Sequence, residues 1–138
     1  MAQVLVTRRL TAGGTDPLLA AGHEVLARDD DRPFTAAELA AAAGGCDGIV
    51  CLLTDRIDRA VLSAGAAGGR LRVVANAAVG YDNIDVEAAR SLGITVCNTP
   101  GVLDATTADL AFLLILAATR RASAAEDDLR HGRWVGWG

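Results

Sequence analysis

Short apolar runs alternate with helix-like stretches along most of the chain, at about 3–7, 24–27, 48–53, 71–75 and 94–97. Their Val, Ile and Leu content is continuous rather than alternating. Strands of that kind are buried from both sides, as in a parallel sheet with helices on both faces. Helix signals separate them. Thr15 or Asp16 can receive the free amide hydrogens of a first turn begun by Pro17, and Gly22 can take the left-handed position that ends it. Thr35 and Glu38 form a capping box before an alanine-rich helix that stops at Gly44-Gly45. Asp58 is placed to cap a third helix through Ala64, and Asp85 a fourth that ends at Gly93. Five strands joined by right-handed crossovers predict an α/β fold with a flavodoxin-like five-stranded parallel sheet, order 2-1-3-4-5.

The last third breaks this rhythm. A helix is predicted over 105–121, and from Leu110 to Ala118 it is apolar all round. Such a helix needs neighbours on most sides, more than one sheet layer offers, so a further domain or a partner is expected to supply them. Arg120 and Arg121 place favourable charge at its end. A polar helix over 123–131 leads to Gly132-Arg133-Trp134-Val135-Gly136-Trp137-Gly138. With no closing element after the tryptophans, the chain is expected to be cut short there.

At 138 residues the chain has the size of one domain. A net charge of -4 gives it no electrostatic attraction to nucleic acid or anionic membranes. Cys46, Cys51 and Cys97 are odd in number and lack metal-ligand spacing, so they are expected to be buried free thiols in a reducing compartment. The opening residues enter a strand without a signal-peptide pattern, and the longest apolar run is far below the roughly 20 residues that span a bilayer. The expected location is cytoplasmic.

Ligands of open parallel sheets gather beyond the carboxyl ends of the strands. Three segments qualify: Leu53-Thr54-Asp55-Arg56, Asn76-Ala77-Ala78-Val79-Gly80-Tyr81-Asp82-Asn83 and Asn98-Thr99-Pro100-Gly101. In the second, small residues and a glycine let backbone amides point at an anion such as a carboxylate; an ordinary turn is the alternative. Asp82, Asn83 and Asp85 read as turn and cap residues, and Asp29-Asp30-Asp31 as a solvated loop. Thr106 and Thr107, in the first turn of the long helix, suit either a phosphate or a cap. His23 and His131 lie away from these segments, which leaves no acid or base tuned near neutrality. Gly13-Gly14 and Gly44-Gly45 are misplaced for a dinucleotide fingerprint. No catalytic residue and no metal site are expected in this chain.

Three linked stretches carry a resemblance that covers effectively the whole chain. They are Asn76-Ala77-Ala78-Val79-Gly80-Tyr81-Asp82-Asn83-Ile84-Asp85, then Gly93-Ile94-Thr95-Val96-Cys97-Asn98-Thr99-Pro100-Gly101-Val102-Leu103, then Thr106-Thr107-Ala108-Asp109-Leu110-Ala111. Together the chain resembles the N-terminal part of the D-2-hydroxyacid dehydrogenases, and within them the glyoxylate and hydroxypyruvate reductases. The resemblance implies that Ala78, Val79 and Gly80 hold the substrate carboxylate, with Leu53 and Thr54 lining the same cleft. It implies that Thr107 approaches the nicotinamide cofactor, and that Trp134 and Trp137 are interface aromatics of a homodimer. On this reading 1–101 is an incomplete substrate-binding domain, 102–122 an interdomain helix and 123–138 the start of a dimerisation arm.

The family's glycine fingerprint and its catalytic arginine, glutamate and histidine come later than this chain reaches. The resemblance therefore implies a parent that reduces a small 2-keto acid with NAD(P)H, and an isolated chain that binds no cofactor and does not turn over. A non-catalytic carboxylate-binding or assembly module, and a fragment of a 3-phosphoglycerate dehydrogenase, are the alternatives. A phosphoacceptor receiver domain shares the topology, but it needs acidic residues where this chain has Thr7-Arg8-Arg9 and a lysine where it has Asn98-Thr99.

Overall fold

Alternation along each strand sends Leu5, Ile49, Cys51 and Val74 to one side of a sheet and Val4, Val6, Val50 and Val73 to the other. The computed structural model in which this is seen describes residues 1–28 and 30–137. Its strands are β1 (Gln3–Val6), β2 (Glu24–Ala27), β3 (Gly48–Cys51), β4 (Val73–Asn76) and β5 (Thr95–Cys97). They pair in parallel in the order β2-β1-β3-β4-β5, as the pattern predicts. Helices α1 (Asp16–Ala20), α2 (Ala36–Ala43), α3 (Arg59–Ala67) and α4 (Val86–Ser91) connect them. Residues 1–100 form one compact unit, and α5 (Asp104–Thr119) and α6 (Ala122–Arg130) belong to a second that begins at Gly101.

In the first unit, Leu39 and Ala43 of α2, Val61 and Leu62 of α3, and Ala88 and Ala89 of α4 pack on the Leu5, Ile49 and Val74 face. That face is the core. The other, also expected to be covered, carries α1 alone of these helices and is covered in part, with Val4 and Val6 buried. Val50, Val73 and Ala75 stay half-buried around an apolar depression of about 300 Å³, which Leu18 of the short α1 borders. Cys46 and Cys51 are buried, but Cys97 is exposed, because it ends the edge strand β5.

Most helix signals act as read. Thr35 Oγ1 accepts from Glu38 N at 3.3 Å while the Glu38 carboxylate accepts from Thr35 N at 2.8 Å, which completes the capping box. Asp58 caps α3 by accepting from Ala60 N and Val61 N, and Asp85 caps α4 by accepting from Ala88 N at 2.8 Å. Gly22 and Gly93 follow their helices with left-handed backbones. Thr15 makes no side-chain cap, because its own backbone is already helical (φ -98°, ψ -10°) and does not turn the hydroxyl over the first turn. Helix α3 runs through Gly65 to Ala67, past its expected end at Ala64. The reason is packing: a Cβ at Gly65 would lie 2.4 Å from Leu71 Cδ2, so the glycine lets the chain entering β4 cross close to α3.

The acidic run after β2 is ion-paired rather than merely solvated. Asp30 accepts from Arg28 Nε at 2.9 Å and Asp31 from Arg8 Nε at 3.1 Å, and the Arg28 guanidinium lies 4.9 Å from the centre of the Phe34 ring. Asp29 lies outside the described residues, as does Gly138. Glu38 also accepts from Arg32 Nη2 at 2.6 Å.

In the second unit, α5 ends at Thr119, two residues before its expected end, because Arg121 takes a left-handed backbone (φ 52°) that starts α6. Leu110, Phe112, Leu113, Leu114, Ile115 and Leu116 of α5 are all exposed. Trp134 and Trp137 meet edge to face, with ring centres 6.1 Å apart. Among the described residues no helix is long and apolar enough to cross a membrane.

Two outcomes follow. Gly65→Ala should destabilise the first unit by about 1–3 kcal/mol in urea unfolding, the usual cost of forcing a methyl into a packed site; an unchanged midpoint would refute the close approach. Arg32, then the Thr35 amide and hydroxyl, hold the Glu38 carboxyl below its ordinary 4.5. A lowered carboxyl contributes stability that is complete above its unfolded value and is lost as pH falls through its folded one. The thermal midpoint should therefore drop as pH falls below 4.5, and less steeply in Glu38→Gln, which a series of melts between neutral and acid pH measures.

Candidate functional site

Buried strands that end in polar residues must satisfy them, because an unpaired buried donor or acceptor costs about 1–3 kcal/mol. Thr7 at the end of β1, Asp55 after β3 and Asn76 at the end of β4 are 1%, 4% and 1% exposed. Thr7 Oγ1 donates to Asp55 Oδ2 at 2.5 Å, and Leu52 N donates to the same oxygen at 2.9 Å. This curls the segment after β3 back onto β1.

Asn83 joins that curl to the segment after β4. Its Nδ2 donates to Leu52 O at 3.1 Å and to Asp55 O at 2.9 Å, while its Oδ1 accepts from Asn76 Nδ2 at 3.0 Å. Asn76 Nδ2 also donates to Gly80 O at 2.7 Å, and Asn76 Oδ1 accepts from Cys51 Sγ at 3.3 Å. Both Asn83 acceptors are carbonyls, which fixes which end of the side-chain amide faces them. Ile57 N donates to Asn83 O and Asp85 N to Ile57 O, which closes the crossing of the two segments. Burial, then the charge of Asp55, pushes the Cys51 thiol up to about 12, so it serves here as a neutral donor and not a nucleophile.

The turn 78–80 hangs from this frame by its carbonyl oxygens. Ala78 O accepts from Thr99 N at 2.9 Å, Val79 O from Asn98 Nδ2 at 2.8 Å, and Gly80 O from Asn76. Among the described residues, the amides of Val79, Gly80 and Tyr81 meet no acceptor. A carbonyl and the following N–H point in opposite directions across a trans peptide. Tying three carbonyls inward therefore turns three successive N–H groups outward, an arrangement that favours an anion.

The structure brings some of the expected residues together. Leu53 is exposed, and its Cδ2 lies 3.7 Å from where a Cβ on Gly80 would sit, so these two share one wall. Leu53 and Thr54 also border an open cleft of about 480 Å³ with Asp82, Asn83 and Asp85; Ala78, Val79 and Gly80 do not line it. Ala78 is buried and Val79 is exposed. Thr107, Trp134 and Trp137 belong to the second unit, where Thr107 N donates to Leu103 O at 2.9 Å and its side chain is exposed. His23 lies at the opposite edge of the sheet from the turn, its Nδ1 accepting from Ala2 N at 3.3 Å.

The frame itself is not legible as a motif in the sequence, where Asn83 has the pattern of a turn residue and Thr7, Asp55 and Asn76 carry no local pattern of their own. The available signal was their position: each is polar where a buried strand ends, and so needs a partner.

The chain matches the catalytic domain of the D-isomer specific 2-hydroxyacid dehydrogenases over residues 4–128, and it belongs to that family. It is 40% identical over 136 residues to the Homo sapiens glyoxylate reductase/hydroxypyruvate reductase, with 98% of this chain and 41% of that protein covered. To the glyoxylate reductase of Korarchaeum cryptofilum it is 43% identical over 136 residues, covering 98% of this chain and 40% of the relative. A crystal structure of a Thermus thermophilus protein superposes with a TM-score of 0.88 at 40% identity, covering 99% of this chain and 42% of the other. The chain thus spans about two fifths of the length of these relatives.

Replacing Asn83 with alanine removes the donor that satisfies Leu52 O and Asp55 O. Asn83→Ala should cost about 2–4 kcal/mol, two acceptors being left unpaired. Equilibrium urea unfolding measures this, and a loss under about 0.5 kcal/mol, the range of ordinary surface changes, would show that water replaces the side chain.

Proposed function

We propose that this chain is the substrate-binding part of an enzyme that reduces glyoxylate to glycolate, or hydroxypyruvate to the corresponding D-2-hydroxy acid, with NAD(P)H. The observation that carries the reading is the turn 78–80, whose tied carbonyls leave the Val79 and Gly80 amides facing outward without an acceptor. A small 2-keto acid offers those amides its carboxylate. Leu53, beside Gly80, gives an apolar wall to the carbon chain, and Thr54 follows it in the chain, on the neighbouring cleft. The naming of the two curated relatives as glyoxylate reductases supports the choice of acid.

On this reading 1–101 binds the substrate, 102–122 leads toward a cofactor domain, and 123–138 begins a dimerisation arm in which Trp134 and Trp137 meet a second copy. The proposed location is the cytoplasm. NAD(P)H supplies a hydride to the keto carbon when bound. Thr107 is this chain's contribution to holding it, and one exposed hydroxyl does not hold a dinucleotide, so these residues alone do not fit the cofactor. What the chain's own residues do is bind the carboxylate and orient the keto acid; proton and hydride transfer lie outside them.

Titrating the isotope-labelled chain with sodium glyoxylate, followed by amide nitrogen–proton spectra, tests the reading. The Val79 and Gly80 signals should move with a dissociation constant on the order of 1 mM, reasonable for a small ligand held chiefly by one carboxylate. Glycolaldehyde, which lacks the carboxylate, should leave them in place. Equal responses to both compounds, or none to glyoxylate, would overturn it.

A further inference from the structure

We propose that Asn98 is a positioning residue for the turn 78–80, setting the direction of the Gly80 N–H through the peptide plane that it shares with the Val79 carbonyl. The inference rests on the carboxylate reading above for its consequence, and on the hydrogen bonding alone for its geometry. Asn98 follows directly on β5, and its Nδ2 donates to Val79 O at 2.8 Å. The Val79–Gly80 peptide is trans and planar, so holding the oxygen holds the hydrogen on the opposite side. The next residue repeats the device: Thr99 N donates to Ala78 O at 2.9 Å and so fixes the Val79 N–H. Two neighbouring residues after β5 thereby align two consecutive donors of the turn. Neither donor lies in a strand ladder or helix that would hold it otherwise.

Asn98 is suited to a positioning role because it carries little else. It is half-buried at the sheet edge, stands outside the core cluster, and its side chain donates to Val79 O. Asn76, by contrast, is buried and joined to Cys51 and Asn83, so its loss would disturb the fold as well as the turn. Removing the Asn98 amide should free one peptide plane while Thr99 still holds its neighbour.

The test compares the wild-type chain with Asn98→Ala and Asn98→Gln, the second keeping an amide donor. Asn98→Ala should unfold at the wild-type midpoint and bind glyoxylate about tenfold more weakly, the usual effect of losing one well-made hydrogen bond. Its Gly80 amide should lose the glyoxylate-induced shift while Val79 keeps it, a selectivity that a general loss of structure would not give. Asn98→Gln should recover most of the affinity. Wild-type affinity in Asn98→Ala, with both amides shifting, overturns the proposal. Should glyoxylate leave the wild-type amides unmoved, the carboxylate reading fails, and ligand-free spectra decide the positioning role separately. Faster hydrogen exchange and greater mobility at Gly80 than at Val79 in Asn98→Ala sustain it; unchanged values at Gly80 overturn it. If Asn98→Ala does not fold, the same ligand-free comparison is made on Asn98→Ser, whose shorter hydroxyl does not span the distance to Val79 O.

Discussion

The Asn83 side chain is the point on which the carboxyl edge of the sheet depends. It ties together the segments after β3 and after β4, donating to Leu52 O and Asp55 O in the first and accepting from Asn76 Nδ2 at the start of the second, beside the main-chain bonds of Ile57 that close the same crossing. Asp55 anchors the first segment to β1 through Thr7, and Asn76 anchors the second through Gly80. A parallel sheet aligns its strands but leaves the chain free once the ladder stops. Here the ladder is prolonged by side chains, so the order of the strands is passed on to the turn beyond them.

Much of the fold was legible because its signals are local. The capping box at Thr35 and Glu38, the caps at Asp58 and Asp85, and the left-handed glycines at 22 and 93 depend on neighbours within a few residues. The strand order followed from general rules of crossover handedness. What escaped depends on contacts between distant residues. Gly65 reads as a helix stop until Leu71 is seen to pass against it, and continuous apolar strands do not reveal that α1 is too short to cover its face. For the site, the small-residue turn was visible as a motif. Its carbonyl tethers were not, since Asn98 is 19 residues from Val79, and Asn83 is 28 from Asp55.

The second unit is organised by a different constraint. Its long helix exposes apolar side chains around its whole circumference, and a left-handed arginine, not a glycine, makes the break between α5 and α6. Its polar interactions are short-range: Arg130 pairs with Glu126 one turn away, and Arg133 reaches back to Asp128. Such pairs steady a helix by a few tenths of a kcal/mol each and do not build a core. The first unit, with α2, α3 and α4 packed on one face of its sheet, has a core of its own.

The outward N–H groups of the turn carry their partial positive charge in the main chain, so the side chains of Ala78 and Val79 do not encode it. A change of residue there alters size and greasiness but leaves the polarity of the bend where it was. The heritable information for that polarity is stored at a distance, in Asn76 and Asn98, whose side-chain amides hold the Gly80 and Val79 carbonyls. Divergent copies of such a gene could therefore drift in the exposed residues of the bend and still keep the direction of its peptide planes, provided those remote amides stay.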